Sequence, residues 1–405
     1  MMSQRRKYLR AAVSAVALAV TAGAGATFVA TSAYSQNLTP SQATTPALQE
    51  ALALQQAGDF RGALAKLDEA NAVEGKTAVD TQIIEQMRAG AFNNLREYGS
   101  AATATQRAID AGHPQAQTLS KARASLLFQA GDHAAAVQAA DAYISQYGAD
   151  SQMIDLKIAA ASESGDNAAM VRTIREAIAA AGGTPSETRL QQLLSAAYAM
   201  GDMDTSAEAL QDLVRFYPKE SYWRDYIGMV MRQPGFNQDL ESDAYRLMAA
   251  AGVNLTQEER VTGLAEFAML NGNPGEAVTV LEEGLASGAI PSDERMQRLL
   301  ATAKERAAAD QPTLGAQETE ARAAATGQPL VAVGEAYLGY GDSAKAAELI
   351  QAGIEKGGVT NENMARLHLG IAQKRAGDPA ANATFESISG EDGAADLAQA
   401  WLLVP

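Results

Sequence analysis

The chain of 405 residues carries 32 Lys and Arg against 48 Asp and Glu, a net charge of -16, and is 47% hydrophobic but only 5% aromatic. That length exceeds one compact core and implies several domains or a repeat array, and the Ala-rich apolar content suits closely packed helices. No Cys and only three His exclude disulfides, thiolate metal sites, a Cys nucleophile and a lipidated Cys, while the acidic balance argues against nucleic-acid binding, which needs a basic surface to displace counterions.

Residues 1–35 read as an export signal. Arg5, Arg6, Lys7 and Arg10 precede an uncharged stretch from Ala11 to Ala33, and Ala33-Tyr34-Ser35 before Gln36 forms a small-residue cleavage pattern. The same stretch is long enough to span a bilayer, so an uncleaved anchor in the inner membrane is the alternative to a cleaved signal peptide. The run Arg5-Arg6-Lys7-Tyr8-Leu9-Arg10 resembles the twin-arginine export signal, although Gln4 departs from the Ser or Thr that usually precedes the pair. Ordinary Sec export fits equally well, and both routes end in the periplasm.

After a linker over residues 36–46, one pattern recurs about every 35 residues: a small residue, an apolar residue, a Gly-Asp turn, then a small and an apolar residue again. The turns are Gly58-Asp59, Gly131-Asp132, Gly165-Asp166, Gly201-Asp202, Gly272-Asn273, Gly341-Asp342 and Gly377-Asp378. Arg96-Glu97-Tyr98 and Gln233-Pro234-Gly235-Phe236 fill gaps as degenerate copies, and one further copy has lost its Gly between Glu294 and Gly327. Small residues such as Ala51, Ala89 and Ala124 before the turns, and Ala63, Ala101 and Ala136 after them, predict antiparallel helices crossing closely. The Gly predicts a left-handed end to the first helix and the Asp a cap on the second.

This pattern resembles the tetratricopeptide repeat, a helix-turn-helix unit of 34 residues. The resemblance runs from about Pro46 to Ser387, although the Trp usual early in the first helix is absent from nearly all copies, which leaves Sel1-like or mixed hairpins open. It implies an all-α protein: a right-handed superhelix of about eight to nine hairpins with a concave groove. The expected division is an N-terminal solenoid over 47–300, an irregular joint over 301–327, and C-terminal repeats over 328–405 ending in a capping helix from Gly393 to Leu403.

Catalytic signatures are lacking in the sequence. His113, His133 and His368 lie in separate segments and read as surface or packing residues, and adjacent carboxylates such as Glu258-Glu259 diverge on a helix. Neither a G-x-S-x-G elbow nor a phosphate loop is present. The expectation is a non-enzyme without cofactor or metal. If the family geometry holds, the groove carries Lys121, Phe128, Gln191, Tyr198, Glu266 and Glu335, and the aromatic patch with Tyr222 and Trp223 serves as core packing or as an anchor. Basic residues are scarce there, which disfavours clamping an acidic peptide tail.

The C-terminal run from Gly334-Glu335-Ala336-Tyr337-Leu338-Gly339-Tyr340-Gly341-Asp342 through Arg366-Leu367-His368-Leu369-Gly370 to Trp401 resembles exported repeat proteins of Gram-negative bacteria associated with the TonB-ExbB-ExbD system. That resemblance implies an accessory factor binding envelope proteins, with TonB, ExbB or ExbD as partners. The alternatives are an assembly factor for secretion, polysaccharide export or cell-wall machinery, or a solute-binding protein with a pocket near Gln311.

Overall fold

The computed structural model describes residues 38–404; the export signal expected over 1–35 lies outside the described residues. Every regular element among the described residues is helical, and none of these helices is long and apolar enough to cross a membrane. The chain forms two compact units that divide between Ala181 and Gly182.

The first unit contains α1 (Thr45–Gln56), α2 (Phe60–Ala72), α3 (Ala78–Asn94), α4 (Tyr98–Asp110), α5 (Ala116–Gln129), α6 (His133–Tyr147), α7 (Ser151–Glu163) and α8 (Asn167–Ala181). Within this unit successive helices pack on one another. The turn chemistry is that read from the sequence. The seven turn glycines have φ between 70° and 85°, a left-handed conformation that costs a Cβ-bearing residue strain. In the degenerate copy Arg96 takes up the same conformation at φ 58°, so that copy keeps its turn without a glycine. The Asp that follows accepts from the amide three residues on. This holds for Asp59, Asp132 and Asp166 here and for Asp202 and Asp342 in the second unit, at 2.8–3.1 Å.

The segment read as a linker is tied down at its end. The Asp80 carboxylate accepts from the Ser41 amide and the Thr44 hydroxyl, both at 2.7 Å, and closes a capping box with Thr77. These donors outweigh its burial and hold its pKa well below the usual carboxylate value.

The second unit contains α9 (Glu187–Met200), α10 (Met203–Phe216), α11 (Glu220–Val230), a short 3₁₀ turn (Gln238–Leu240) and α12 (Glu241–Ala250). Then come α13 (Gln257–Arg260), a π-helical turn (Val261–Glu266) and α14 (Phe267–Leu270), which together form one broken helix, followed by α15 (Pro274–Ser287). Next are α16 (Glu294–Asp310), a 3₁₀ turn (Gln311–Thr313) and α17 (Leu314–Ala323), where the copy without its Gly had been expected. The last elements are α18 (Gln328–Gly339), α19 (Ser343–Lys356), α20 (Glu362–Ala376), α21 (Ala381–Glu386) and α22 (Ala394–Trp401). The π turn displaces the Gly263 carbonyl from its usual partner, and the buried Ser242 hydroxyl donates to it at 2.8 Å.

Small residues at the crossings are fully packed. Ala51, Ala63, Ala101, Ala124, Ala136, Ala265, Ala277 and Ala346 are buried without residual exposure. Gly370 lies beneath the Phe385 ring, where an added Cβ would come within 2.5 Å of a ring carbon.

In the second unit the solenoid departs from an open groove. The capping helix α22 does cover the last hairpin, with Trp401 stacked on Phe385 at 6.1 Å between ring centres. It also packs back on α11 and α12. The Asn237 amide donates to the Asp392 carbonyl at 2.8 Å, and Gly393 sits flat against the Phe236 ring. Meanwhile α15 packs directly on α18, past the intervening α16–α17 hairpin. The helices therefore form a ring around a chamber.

Replacing Ala136 or Ala277 with Leu is expected to overpack a crossing and cost about 1–3 kcal/mol in urea denaturation. Melting that matched the parent in both variants would mean that the crossings are not where the repeat register puts them.

Candidate binding site

The chamber of the second unit has a volume of about 750 Å³ and is lined by α12, α14, α15, α18 and α20. Its wall carries a chain of charges drawn from four helices. His368 on α20 lies between two carboxylates, with Nδ1 2.7 Å from Glu335 on α18 and Nε2 3.0 Å from Asp243 on α12. Asp243 also accepts from Arg246 at 2.7 Å. Arg246 in turn donates two parallel hydrogen bonds to Glu276 on α15, at 2.6 and 2.7 Å. The fork of the guanidinium matches the carboxylate plane, the strong geometry for such a pair.

Burial disfavours the charges of Asp243, Arg246, Glu276 and His368, and the neighbours decide the balance. Asp243 is 1% exposed, yet His368 and Arg246 hold its carboxyl down at about 2. For His368, burial pushes toward the neutral form, but Asp243 and Glu335 outweigh it and raise the imidazole to about 10. The ring is therefore an imidazolium at neutral pH, donating from both nitrogens. A histidine in that state has no lone pair to accept a proton, so it is a tie between helices and not a general base. Among the described residues no cluster of His, Asp and Glu has an arrangement that would hold a metal ion.

Further along the wall, Tyr340 packs its ring over Gly275 and donates its hydroxyl to Asp310 at 2.8 Å, next to Gln311. Burial and that carboxylate both raise its pKa well above the usual phenol value. The apolar share of the lining comes from Leu264, Phe267, Val280, Leu338, Met364 and Ile371.

Of the groove candidates read from the sequence, Glu335 reaches the chamber. In the first unit Lys121 pairs with Asp150 and lies over the Tyr143 ring, and Phe128 meets the edge of His133 at 5.2 Å. In the second unit the Gln191 amide donates to the Tyr222 hydroxyl at 2.5 Å, and that hydroxyl donates to Glu187. Tyr198 is 42% exposed, and Glu266 pairs with Arg295 at 3.3 Å. Trp223 needs correction as an anchor: at 1% exposure its indole is core and no ligand can reach it. The surface or packing role read for His113 and His133 fits their surroundings, since His113 is buried against Gln86 and His133 is half-buried against Phe128.

Asp243, Arg246, Glu276 and Arg375 escaped the sequence reading. They lie off the repeat positions expected to face the groove, and His368 finds its carboxylates 33 and 125 residues away in the chain. A usable signal existed for part of the lining. Counting 13 and 6 residues back from Gly377, as for the other turns, gives Met364 and Ile371, and both line the chamber.

No family profile matches the chain, and no curated protein matches it. Among solved structures, similarity is found to a tetratricopeptide repeat protein from Parabacteroides merdae, at TM-score 0.32 and 11% identity over 82% of this chain and 100% of that one. The Naa15/Naa10 complex bound to HypK-THB gives 0.30 and 15% over 85% of this chain and 58% of that one. Yeast Tom70 gives 0.25 and 9% over 89% and 95%. The all-α repeat fold rests on the hairpins themselves, not on these superpositions.

Two measurements test the ionic chain. Asp243→Ala leaves His368 and Arg246 short of a buried partner, and is expected to cost about 3–5 kcal/mol. Because the folded state raises the pKa of His368 above its ordinary 6.5, its contribution is whole below pH 6.5 and fades as pH climbs toward 10. Urea midpoints of the second unit should thus fall between pH 6.5 and 10, and His368→Gln should flatten that slope. An equal slope in the variant would assign the pH dependence to other groups.

Proposed function

We propose that the chain is a non-catalytic, periplasmic scaffold that binds envelope proteins. The observation that carries this reading is the apolar surface of α9 and α10. Tyr198, Met200 and Met203 flank the Gly201-Asp202 turn at 42%, 46% and 48% exposure, and Phe216 at the far end of α10 is also exposed. Elsewhere the chain buries its large apolar side chains, with Leu270 the one other exposed among the described residues. Flexible thioethers beside an aromatic ring make a surface that adapts to a partner. The neighbouring face is preformed, because Gln191, Tyr222, Glu187 and Lys219 link α9 to α11 through hydrogen bonds and an ion pair.

A narrower reading makes the partner TonB, ExbB or ExbD. Its support is the resemblance of the stretch from Gly334 to Trp401 to repeat proteins associated with that system.

The test is crosslinking in intact host cells with a tagged full-length chain, followed by mass spectrometry of what co-purifies. The expected result is an envelope protein enriched over an unrelated periplasmic control and reduced about tenfold by Tyr198→Lys with Met203→Lys. TonB, ExbB or ExbD in that position supports the narrower reading, and a cell-wall or export component replaces it. No enriched protein, or one equally retained by the variant, overturns the scaffold.

A further inference from the structure

Three turns join successive hairpins in the first unit, and each is held by a side chain that accepts a backbone amide. Between α2 and α3 that side chain is Asp80, which takes the Thr77 amide at 2.7 Å. Between α6 and α7 it is Asp150, which takes the Gln152 amide at 3.0 Å and pairs with Lys121. The burial of Asp80 is outweighed by its donors, and Lys121 acts most on Asp150. Both carboxyls therefore stay below their ordinary value and remain ionised between pH 5 and 7.

Between α4 and α5 an imidazole takes the place of the carboxylate. The Gln115 side chain at the start of α5 caps nothing, and its amide donates to Nδ1 of His113 at 3.1 Å. Nε2 of the same ring donates to Gln86 on α3 at 3.2 Å, and Gln82, one turn earlier on α3, donates to the Ala111 carbonyl at 2.7 Å. The ring is 4% exposed. Only a neutral imidazole with its proton on Nε2 makes both bonds, because Nδ1 needs a lone pair to accept the amide. A second proton sets one N–H against another and places a charge in a buried site, so the ring must leave its place and give up Gln86 as well.

The charged groups on the surrounding helices are Asp80, Glu85 and Arg88 of α3, Arg107 and Asp110 of α4, and Lys121 and Arg123 of α5. Glu85 pairs with Arg88 and Arg107, Asp110 accepts from Gln106, and burial is what lowers the pKa of His113. The contribution of His113 is thus whole above pH 6.5 and is lost as pH falls below it. Glu85 works in the opposite sense: burial raises its pKa above 4.5, so its protonation in acid adds stability.

We propose that the turn from Ala111 to Gln115 is an acid-released latch: a proton taken up at Nδ1 of His113 frees the turn from α3 and loosens the stacking of α5 on α4. The latch lies in the first unit and does not involve the α9–α10 surface, so its failure and loss of partner capture are independent results.

The test is amide hydrogen exchange of the full chain, resolved to single residues by NMR, with long-range 1H–15N spectra of the imidazoles. At pH 7 His113, assigned as the signal missing from His113→Gln, is expected to carry its proton on Nε2. Between pH 6.5 and 5 the protection of the Gln115 amide, corrected for intrinsic exchange, should fall about tenfold, near the limit for one proton. Protection of the Gln152 amide, held by Asp150, should stay unchanged over the same range. In His113→Gln, which keeps an acceptor that does not titrate, the fall at Gln115 should disappear. If that variant does not fold, the ring tautomer and the comparison of Gln115 with Gln152 in the parent decide. A proton on Nδ1 at pH 7, protection at Gln115 that holds down to pH 5, or an equal fall in the variant would overturn the latch.

Discussion

The imidazolium of His368, held between Asp243 and Glu335, is the interaction on which the second unit depends. Its two partners come from helices far apart in sequence, so it joins α12 to α20 across the chamber where nearest-neighbour stacking does not reach. Arg246 and Glu276 extend the tie to α15. A buried chain of this kind adds little net stability over apolar packing, because each charge must first be stripped of water. What it contributes is position: a donor or acceptor must face each group, and that restricts how the helices meet.

The first unit shows what the same repeat does without such a tie. Its helices contact their sequence neighbours, and its cores are local, as in the cluster of Ala124, Ala139, Ala140, Tyr143 and Met153. The alanines that let backbones approach also leave little apolar area per residue, which makes turn geometry and caps matter more. Asp80 shows the cost of fixing an end: one buried carboxylate collects four hydroxyl or amide donors from Ser41, Thr44 and Thr77 to start the stack. In the second unit the chain can deviate locally, as at the π turn, because Ser242 takes up the carbonyl that the deviation displaces.

The repeat was legible in the sequence because its information is local. A Gly that needs left-handed φ, an Asp that caps the next helix and a small residue at a fixed offset all act within a dozen positions. Even the degenerate copy at Arg96-Glu97 could be placed from its phase. The chamber was legible only where it coincides with the repeat, at Glu335 and, by the same count from Gly377, at Met364 and Ile371. The pairing of His368 was not, since a helical reading looks four residues along and its carboxylates lie on other hairpins. Trp223 shows the converse failure: the aromatic patch reads as an anchor as readily as core, yet Tyr222 and Trp223 are both buried. Ring closure was equally hidden, because Gly393 fits against Phe236 through shape and not through any pattern in either segment.

The closing contact also sets an order of events. In the first unit each hairpin meets the one just made, so that half can assemble as the chain is synthesised. The ring cannot. Asn237 has no Asp392, and Phe236 no Gly393, until nearly the last residue is present. Long-range closure of this sort is paid for in loop entropy before any contact rewards it, and it slows folding. Until that moment α11 and α12 lack the cover that α22 brings, which makes the unfinished second unit the part of the chain in need of protection during biogenesis.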